Sequence, residues 1–242
     1  MSIINFDAKR NTEECIDWIK KYAEESRMKK AILGISGGKD SYVAAALCCK
    51  ALGNENVIGV LMPNGEQKDI DDSIEVCRSL GIQMISVNIY DAYNDILEPI
   101  YDNNIEVSED AKINIAPRLR MTTLYAIGQT LHARVCGTGN LSESAVGYCT
   151  KWGDTACDFN PLAKFTSLEV IEIGKYLGLN ERIICKAPSD GLCGMTDEEK
   201  LGISYEDIHR FLREGSTDFE TSARICEKMK ASEHKRCMPP HF

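Results

Sequence analysis

A chain of 242 residues that is 43% hydrophobic and 27% charged has the composition of an ordinary globular protein and enough apolar surface for a core. Its formal net charge of −9 argues against a general grip on nucleic acid, which needs a basic face. No run approaches about 18 consecutive apolar residues, so no helical membrane span is expected. The opening residues show no basic stretch followed by an apolar one, which predicts a cytoplasmic setting. The eleven cysteines include no Cys-x-x-Cys pair and read as reduced thiols packed as small apolar side chains.

Residues 7–28 place Cys15, Trp18, Ile19, Tyr22 and Ala23 at helical spacing, with Asn11 and Thr12 as candidate start signals. The apolar run 31–35 suits a buried strand, 36–41 is a glycine-rich turn, and the Ala- and Leu-rich stretch 42–52 reads as a helix closed by Gly53. A strand over 57–62, a helix over 70–80 and a strand over 82–87 repeat the alternation. A helix follows over 92–103, with Pro99 as a candidate kink or break, then a polar stretch over 104–112 without an assigned element. A helix over 118–134 leads into a short strand at 135–136. The stretch 137–161 is rich in Gly, Thr, Asn, Ser and Asp, and long irregular segments inside compact domains are usually functional. A helix covers 167–177, and 186–197 has the turn residues of a mobile loop, read here as a lid that orders over ligands. Two short helices near 204–213 and 218–230 precede the basic run His234, Lys235, Arg236. Strands alternating with helices predict one domain over 1–242: a doubly wound, mostly parallel α/β sheet with helices on both faces.

The strongest local signal is the turn after the first strand, Gly34, Ile35, Ser36, Gly37, Gly38, Lys39, Asp40, Ser41. Glycines let backbone N–H groups converge, and the following helix adds its dipole, so the turn suits an anion. It fits neither the Walker A pattern, since Asp40 follows Gly38-Lys39, nor G-x-G-x-x-G. The order Ser-Gly-Gly-x-Asp-Ser resembles the loop of ATP pyrophosphatases, which split ATP into AMP and pyrophosphate. A carboxylate inside a phosphate loop repels phosphate unless a cation sits there, which makes Asp40 a candidate Mg²⁺ ligand.

The stretch from Gly137 to Pro161 narrows the resemblance. It joins Ala116-Pro117-Arg118-Leu119-Arg120-Met121 upstream, and Lys186-Ala187-Pro188-Ser189-Asp190-Gly191 and Thr196-Asp197-Glu198-Glu199 downstream. Together these make the chain resemble ammonia-dependent NAD synthetases, which amidate nicotinic acid adenine dinucleotide (deamido-NAD) to NAD. The resemblance runs from Gly34 to Arg236. It implies a Rossmann-like fold of the adenine nucleotide alpha hydrolase type, a homodimer, and ATP, deamido-NAD and ammonia as substrates. By position, Gly34 to Ser41, Thr138, Ser167 and Ser189 would contact ATP. Asp40 and Glu143 would hold Mg²⁺. Arg118, Lys151, Asp158, His234 and Lys235 would contact deamido-NAD, with Asp154 and Trp152 beside them. No protein nucleophile is implied. Ser167 departs from the pattern, since the family often has Lys there; Lys39 or Lys164 would have to supply the missing cation. The length leaves no room for a glutaminase domain, so free ammonia is the expected nitrogen source.

Each assignment has a structural alternative. Arg118 and Arg120 could form a solvated helix face, Lys151 an exposed loop charge, and Glu143 a helix cap. Asp154 and Asp158 could be turn formers, and His234 a surface residue. Two rival functions also stand: another loop enzyme of this class acting on GMP or tRNA, and a regulatory module that binds ATP without chemistry.

Overall fold

The protein is described here from a computed structural model covering residues 6–67, 70–186 and 197–242. Ser189 and most of the expected lid lie outside the described residues. Helix α1 (Ala8–Ser26) leads into β1 (Lys30–Gly34), α2 (Lys39–Leu52), β2 (Val57–Leu61), α3 (Ile70–Leu80) and β3 (Gln83–Ser86). Helices α4 (Tyr90–Asp102) and α5 (Glu109–Leu131) cross back to β4 (Ala133–Val135). Then come α6 (Leu141–Val146), α7 (Ser167–Tyr176), α8 (Glu181–Ile184), α9 (Asp197–Leu201), α10 (Tyr205–Glu214) and α11 (Phe219–Ala231).

The four strands form a parallel sheet in the order β3-β2-β1-β4, with Ile32 of β1 opposite Ile58 of β2 and Val135 of β4. Successive strand residues face opposite sides, so the short apolar runs feed two cores. Ala31, Leu33, Val57 and Leu61 pack with Ile19 of α1, Val43 and Leu47 of α2, Val76 of α3 and Val170 and Ile173 of α7. Ile32, Ile58, Val60 and Val135 pack on the other side with Ala116, Met121 and Leu124 of α5. A third apolar cluster, with Val146, Leu201, Ile203, Tyr205, Ile208 and Ile225, joins α6 to the C-terminal helices. The doubly wound parallel architecture expected from the alternation is therefore present. Among the described residues no helix is long and apolar enough to cross a membrane. Cys15, Cys48, Cys49, Cys77 and Cys136 are buried in the core as free thiols.

Several boundaries differ from expectation for local reasons. The start of α1 is set by Asp7, whose carboxylate accepts the Arg10 N–H at 3.0 Å, and not by Asn11 or Thr12. Thr12 instead lies in the helix and donates its hydroxyl to the Ala8 carbonyl at 2.6 Å. Helix α2 takes in Lys39, Asp40 and Ser41, which the sequence placed in the turn. Helix α5 begins within the polar stretch, because the Ser108 hydroxyl accepts the Ala111 N–H at 3.3 Å and caps it. Pro99 sits inside α4 rather than ending it. The short helices α6, α8 and α9 had no periodicity to announce them.

Candidate active site

From β1 the chain runs outward through β2 to β3, then returns to place β4 on the other side of β1. Such a reversal leaves a crevice at the carboxyl ends of the two diverging strands, the usual ligand site of open α/β sheets. The segments leaving β1 and β4 are the glycine-rich turn and Gly137-Thr138-Gly139-Asn140. Two of the motifs that carry the family resemblance therefore leave the sheet at adjacent strand ends.

Internal hydrogen bonds fix the turn. The Ser41 hydroxyl donates to the Gly38 carbonyl at 3.1 Å and lies 3.3 Å from the Ser36 N–H and 3.2 Å from the Ser36 hydroxyl. Gly37 has φ +80, and a β-carbon there would press on Asp72 and Ser73 at the start of α3. Gly38 caps α2 without a side-chain hydrogen bond, so the first-turn N–H groups are left for whatever binds there. Thr138, in the segment that leaves β4, is half-buried.

Asp40 and Glu143 enter from the two segments. Asn140 ties them together: its side-chain amide donates to Asp40 Oδ1 at 3.0 Å, and its amide oxygen accepts the Glu143 N–H at 3.0 Å. Glu143 Oε2 accepts the Asn140 N–H at 3.1 Å, closing a capping box at the start of α6. Glu143 is thus a helix cap and a site carboxylate at once. Burial and the nearby Asp40 charge push its carboxyl up to about 8, against the pull of Lys39. Two carboxylates set close together, with the charge of Asp40 acting on Glu143, are suited to a hard divalent cation. Among the described residues no group of three or more His, Cys, Asp or Glu side chains forms a protein-only metal cage. A cation held by one or two carboxylates and completed by substrate phosphates matches this donor set, and Mg²⁺ is commonly bound in that way.

Arg118, Lys151, Trp152 and His234 are brought together where α5, the turn after α6 and the C-terminal tail meet. Arg118 Nε donates to the Lys151 carbonyl at 3.3 Å, and Lys151 Nζ donates to the His234 carbonyl at 2.5 Å while lying 5.3 Å from the Trp152 ring centre. Trp152 is 54% exposed and holds φ +62, an unusual backbone state for an aromatic residue. Asp154 accepts the Thr150 N–H at 2.7 Å and braces this loop. Lys235 Nζ donates to the Gly147 and Cys149 carbonyls at 2.8 Å each, and Arg236 donates to Ser144 and Ala145. The basic tail is therefore latched over the α6 loop. Asp158 lies apart from this group: its carboxylate accepts the Val135 N–H at 2.8 Å and meets the Tyr125 hydroxyl at 3.5 Å, positioning β4 against α5. Ser167 is buried at the first position of α7, its N–H donating to the Ser142 hydroxyl at 3.1 Å.

Sequence reasoning missed Asn140, whose contact to Asp40 spans the fold; the Asn-x-x-Glu spacing of a capping box was its one local signal. It also missed Asp197 and Tyr205. The Tyr148 hydroxyl donates to Asp197 Oδ1 at 3.0 Å, Tyr205 meets Asp197 Oδ2 at 3.5 Å, and the Lys39 ammonium lies 5.5 Å from the Tyr205 ring centre. The C-terminal helices thereby reach the phosphate turn.

A parallel sheet with this turn at its crevice and a carboxylate pair beside it defines the class of α/β proteins that handle ATP through a pyrophosphatase-type loop. The chain belongs to the NAD synthase family, whose model matches residues 11–239. It is 37% identical over 241 residues to the NH3-dependent NAD+ synthetase of Carboxydothermus hydrogenoformans, covering 98% of this chain and 97% of that one. Its structure is similar to that of the NMN synthetase of Francisella tularensis, with a TM-score of 0.90, 33% identity, and 98% and 100% of the two chains covered. It is also similar to the NH3-dependent NAD synthetase of Campylobacter jejuni in complex with nitrate, with a TM-score of 0.78, 30% identity, and 98% and 99% covered.

Proposed function

We propose that this protein amidates deamido-NAD to NAD with ATP and free ammonia, releasing AMP and pyrophosphate. The observation that carries the reading is the meeting of the phosphate turn with the Asp40–Glu143 pair, held by Asn140, at the sheet crevice. Full-length similarity to ammonia-dependent synthetases supports the same reaction.

A pyridine carboxylate resists attack by an amine because its charge repels the incoming lone pair. Transfer of AMP from ATP onto that carboxylate removes the charge and makes a leaving group. The turn from Gly34 to Ser41 and the first-turn N–H groups of α2 bind the phosphates, with Thr138, Ser167 and Ser189 as further ATP contacts. Asp40 and Glu143 would hold Mg²⁺, which would supply positive charge beside the phosphates. Arg118, Lys151, His234 and Lys235 bind deamido-NAD, with Trp152 offering an exposed ring and Asp154 fixing the loop. Asp158 is a further deamido-NAD contact in this reading, its carboxylate also accepting the Val135 N–H. Ammonia attacks the acyl-adenylate and AMP departs. No protein nucleophile is needed; much of the rate comes from holding two large substrates in line.

A homodimer in the cytoplasm belongs to the same reading. Helices α4 and α5 and their connection leave Ile96, Tyr101, Ile105 and Ile113 exposed, an apolar surface a second copy would cover. One observation favours a second acceptor: the Francisella structure superimposes with the TM-score of 0.90 and is named an NMN synthetase. Initial rates with deamido-NAD and with nicotinic acid mononucleotide, each with Mg-ATP and ammonium, decide between them. A higher kcat/KM for the dinucleotide supports our reading; a higher value for the mononucleotide replaces it with NMN synthesis.

A further inference from the structure

Lys39 is a lysine in a place that exposes little of any side chain. It is 4% exposed at the first position of α2, between the glycines of the phosphate turn and Asp40. Burying an ammonium is costly unless opposite charge is close. Its Nζ donates to Asp40 Oδ2 at 2.8 Å, the carboxyl groups of Glu143 and Asp197 act on it electrostatically to favour its charged form, and the Tyr205 ring covers it at 5.5 Å. Four separate segments thus enclose one ammonium: the start of α2, α6, α9 and α10. The carboxylate that holds it, Asp40, and one that acts on it electrostatically, Glu143, are the two assigned above to the divalent cation. Asp40 has its two oxygens engaged already, Oδ1 by Asn140 and Oδ2 by Lys39.

We infer that Lys39 is an internal counter-cation of the metal site: in the ligand-free protein its ammonium neutralises the Asp40–Glu143 pair and competes with a divalent cation for it. Free metal then binds weakly, and strong binding waits for ATP, whose phosphates supply both further oxygen ligands and a new partner for the displaced ammonium. Lys39 lies beside the N–H groups that receive those phosphates, so the ammonium need only turn from one anion to another. Lys39 is a positioning residue in this account, and the inference rests on the metal role proposed for Asp40 and Glu143.

The test measures metal binding and not turnover. Mn²⁺ is titrated into the full-length, ligand-free protein at one pH and ionic strength, followed by the loss of its free paramagnetic signal. Wild type, Lys39→Met, Lys39→Arg and Asp40→Asn are compared, with far-UV circular dichroism confirming the fold of each. Methionine keeps the volume under Tyr205 and removes the charge; arginine keeps the charge. Lys39→Met should bind Mn²⁺ at least tenfold tighter than wild type, Lys39→Arg within about threefold of it, and a non-hydrolysable ATP analogue should narrow the gap between Lys39→Met and wild type. Equal or weaker binding by Lys39→Met overturns the inference. If Asp40→Asn still loses Mn²⁺ affinity in the presence of the analogue, the metal role of Asp40 survives that failure. If Asp40→Asn binds as wild type does, with and without the analogue, both fail together.

Discussion

The side-chain amide of Asn140 donates to the Asp40 carboxylate at 3.0 Å, joining residues a hundred positions apart across the crevice between β1 and β4. Asn140 is fully buried, and its amide oxygen also caps α6. Replacing it with alanine removes a charge-assisted hydrogen bond and a helix cap together. Asn140→Ala should destabilise the protein by about 2–4 kcal/mol, measured by urea unfolding, and lower kcat/KM at least tenfold. Unchanged stability would show that water or a neighbour replaces both contacts.

The depth to which this site could be read follows from the range of its interactions. The phosphate turn was legible because its glycines, its hydroxyls and the helix they start are neighbours in the chain. The parallel sheet was legible because strands buried on both faces are short continuous apolar runs, as in 31–35 and 57–62. The partner of Asp40 was not, because no local pattern links position 40 to position 140. The enclosure of Lys39 by Tyr205 was hidden for the same reason. The bond from the Val135 N–H to the Asp158 carboxylate was hidden likewise, since it joins positions 135 and 158 through the fold.

Gly147 ends α6 with φ +72 and packs directly on Ser232 at the end of α11. A β-carbon there would overlap the Ser232 side chain while holding a backbone state that disfavours any L side chain. Gly147→Ala should cost about 2 kcal/mol or more and loosen the latch made by Lys235 and Arg236. Limited proteolysis should then cut faster within 232–242 than in wild type; equal cutting would mean the tail is held without this contact.

Behind α7 a second buried network sets a pH dependence. The Glu169 carboxylate is paired with the Arg213 guanidinium at 2.5 and 2.7 Å, and His209 Nδ1 lies 2.7 Å from the Thr166 hydroxyl. Burial, opposed by Glu169 and aided by Arg213, holds the His209 pKa below its ordinary 6.5. The unfolded chain takes up that proton near pH 6.5 while the folded chain does not, so unfolding binds a proton below this value. This contribution to stability is complete above about pH 6.5 and is lost as the pH falls toward the lowered folded value. His209→Gln should flatten the stability profile between pH 6.5 and 5, read by denaturant midpoints; an unaltered slope would assign it to other groups. Arg213→Ala, which strands the buried Glu169, should cost about 2 kcal/mol.

In the proposed acceptor site, Arg118 and Lys151 are held by backbone carbonyls, and the Lys151 ammonium lies over the exposed Trp152 ring. Neither supports the core. Lys151→Ala should raise the KM for the dinucleotide tenfold or more, leave the KM for ATP within about twofold, and leave the melting temperature within about 2 °C. An equal rise in both Michaelis constants would place Lys151 outside the acceptor site.

The central claim is that one site activates a carboxylate with ATP and delivers it to ammonia. The most direct measurement quantifies NAD, AMP and pyrophosphate together after incubation with Mg-ATP, deamido-NAD and ammonium, for wild type and Asp40→Ala. The account predicts equal amounts of all three from wild type and a loss of at least a hundredfold in Asp40→Ala, which removes a carboxylate of the metal pair. ADP and phosphate in place of AMP and pyrophosphate, or NAD made equally well by Asp40→Ala, would contradict it.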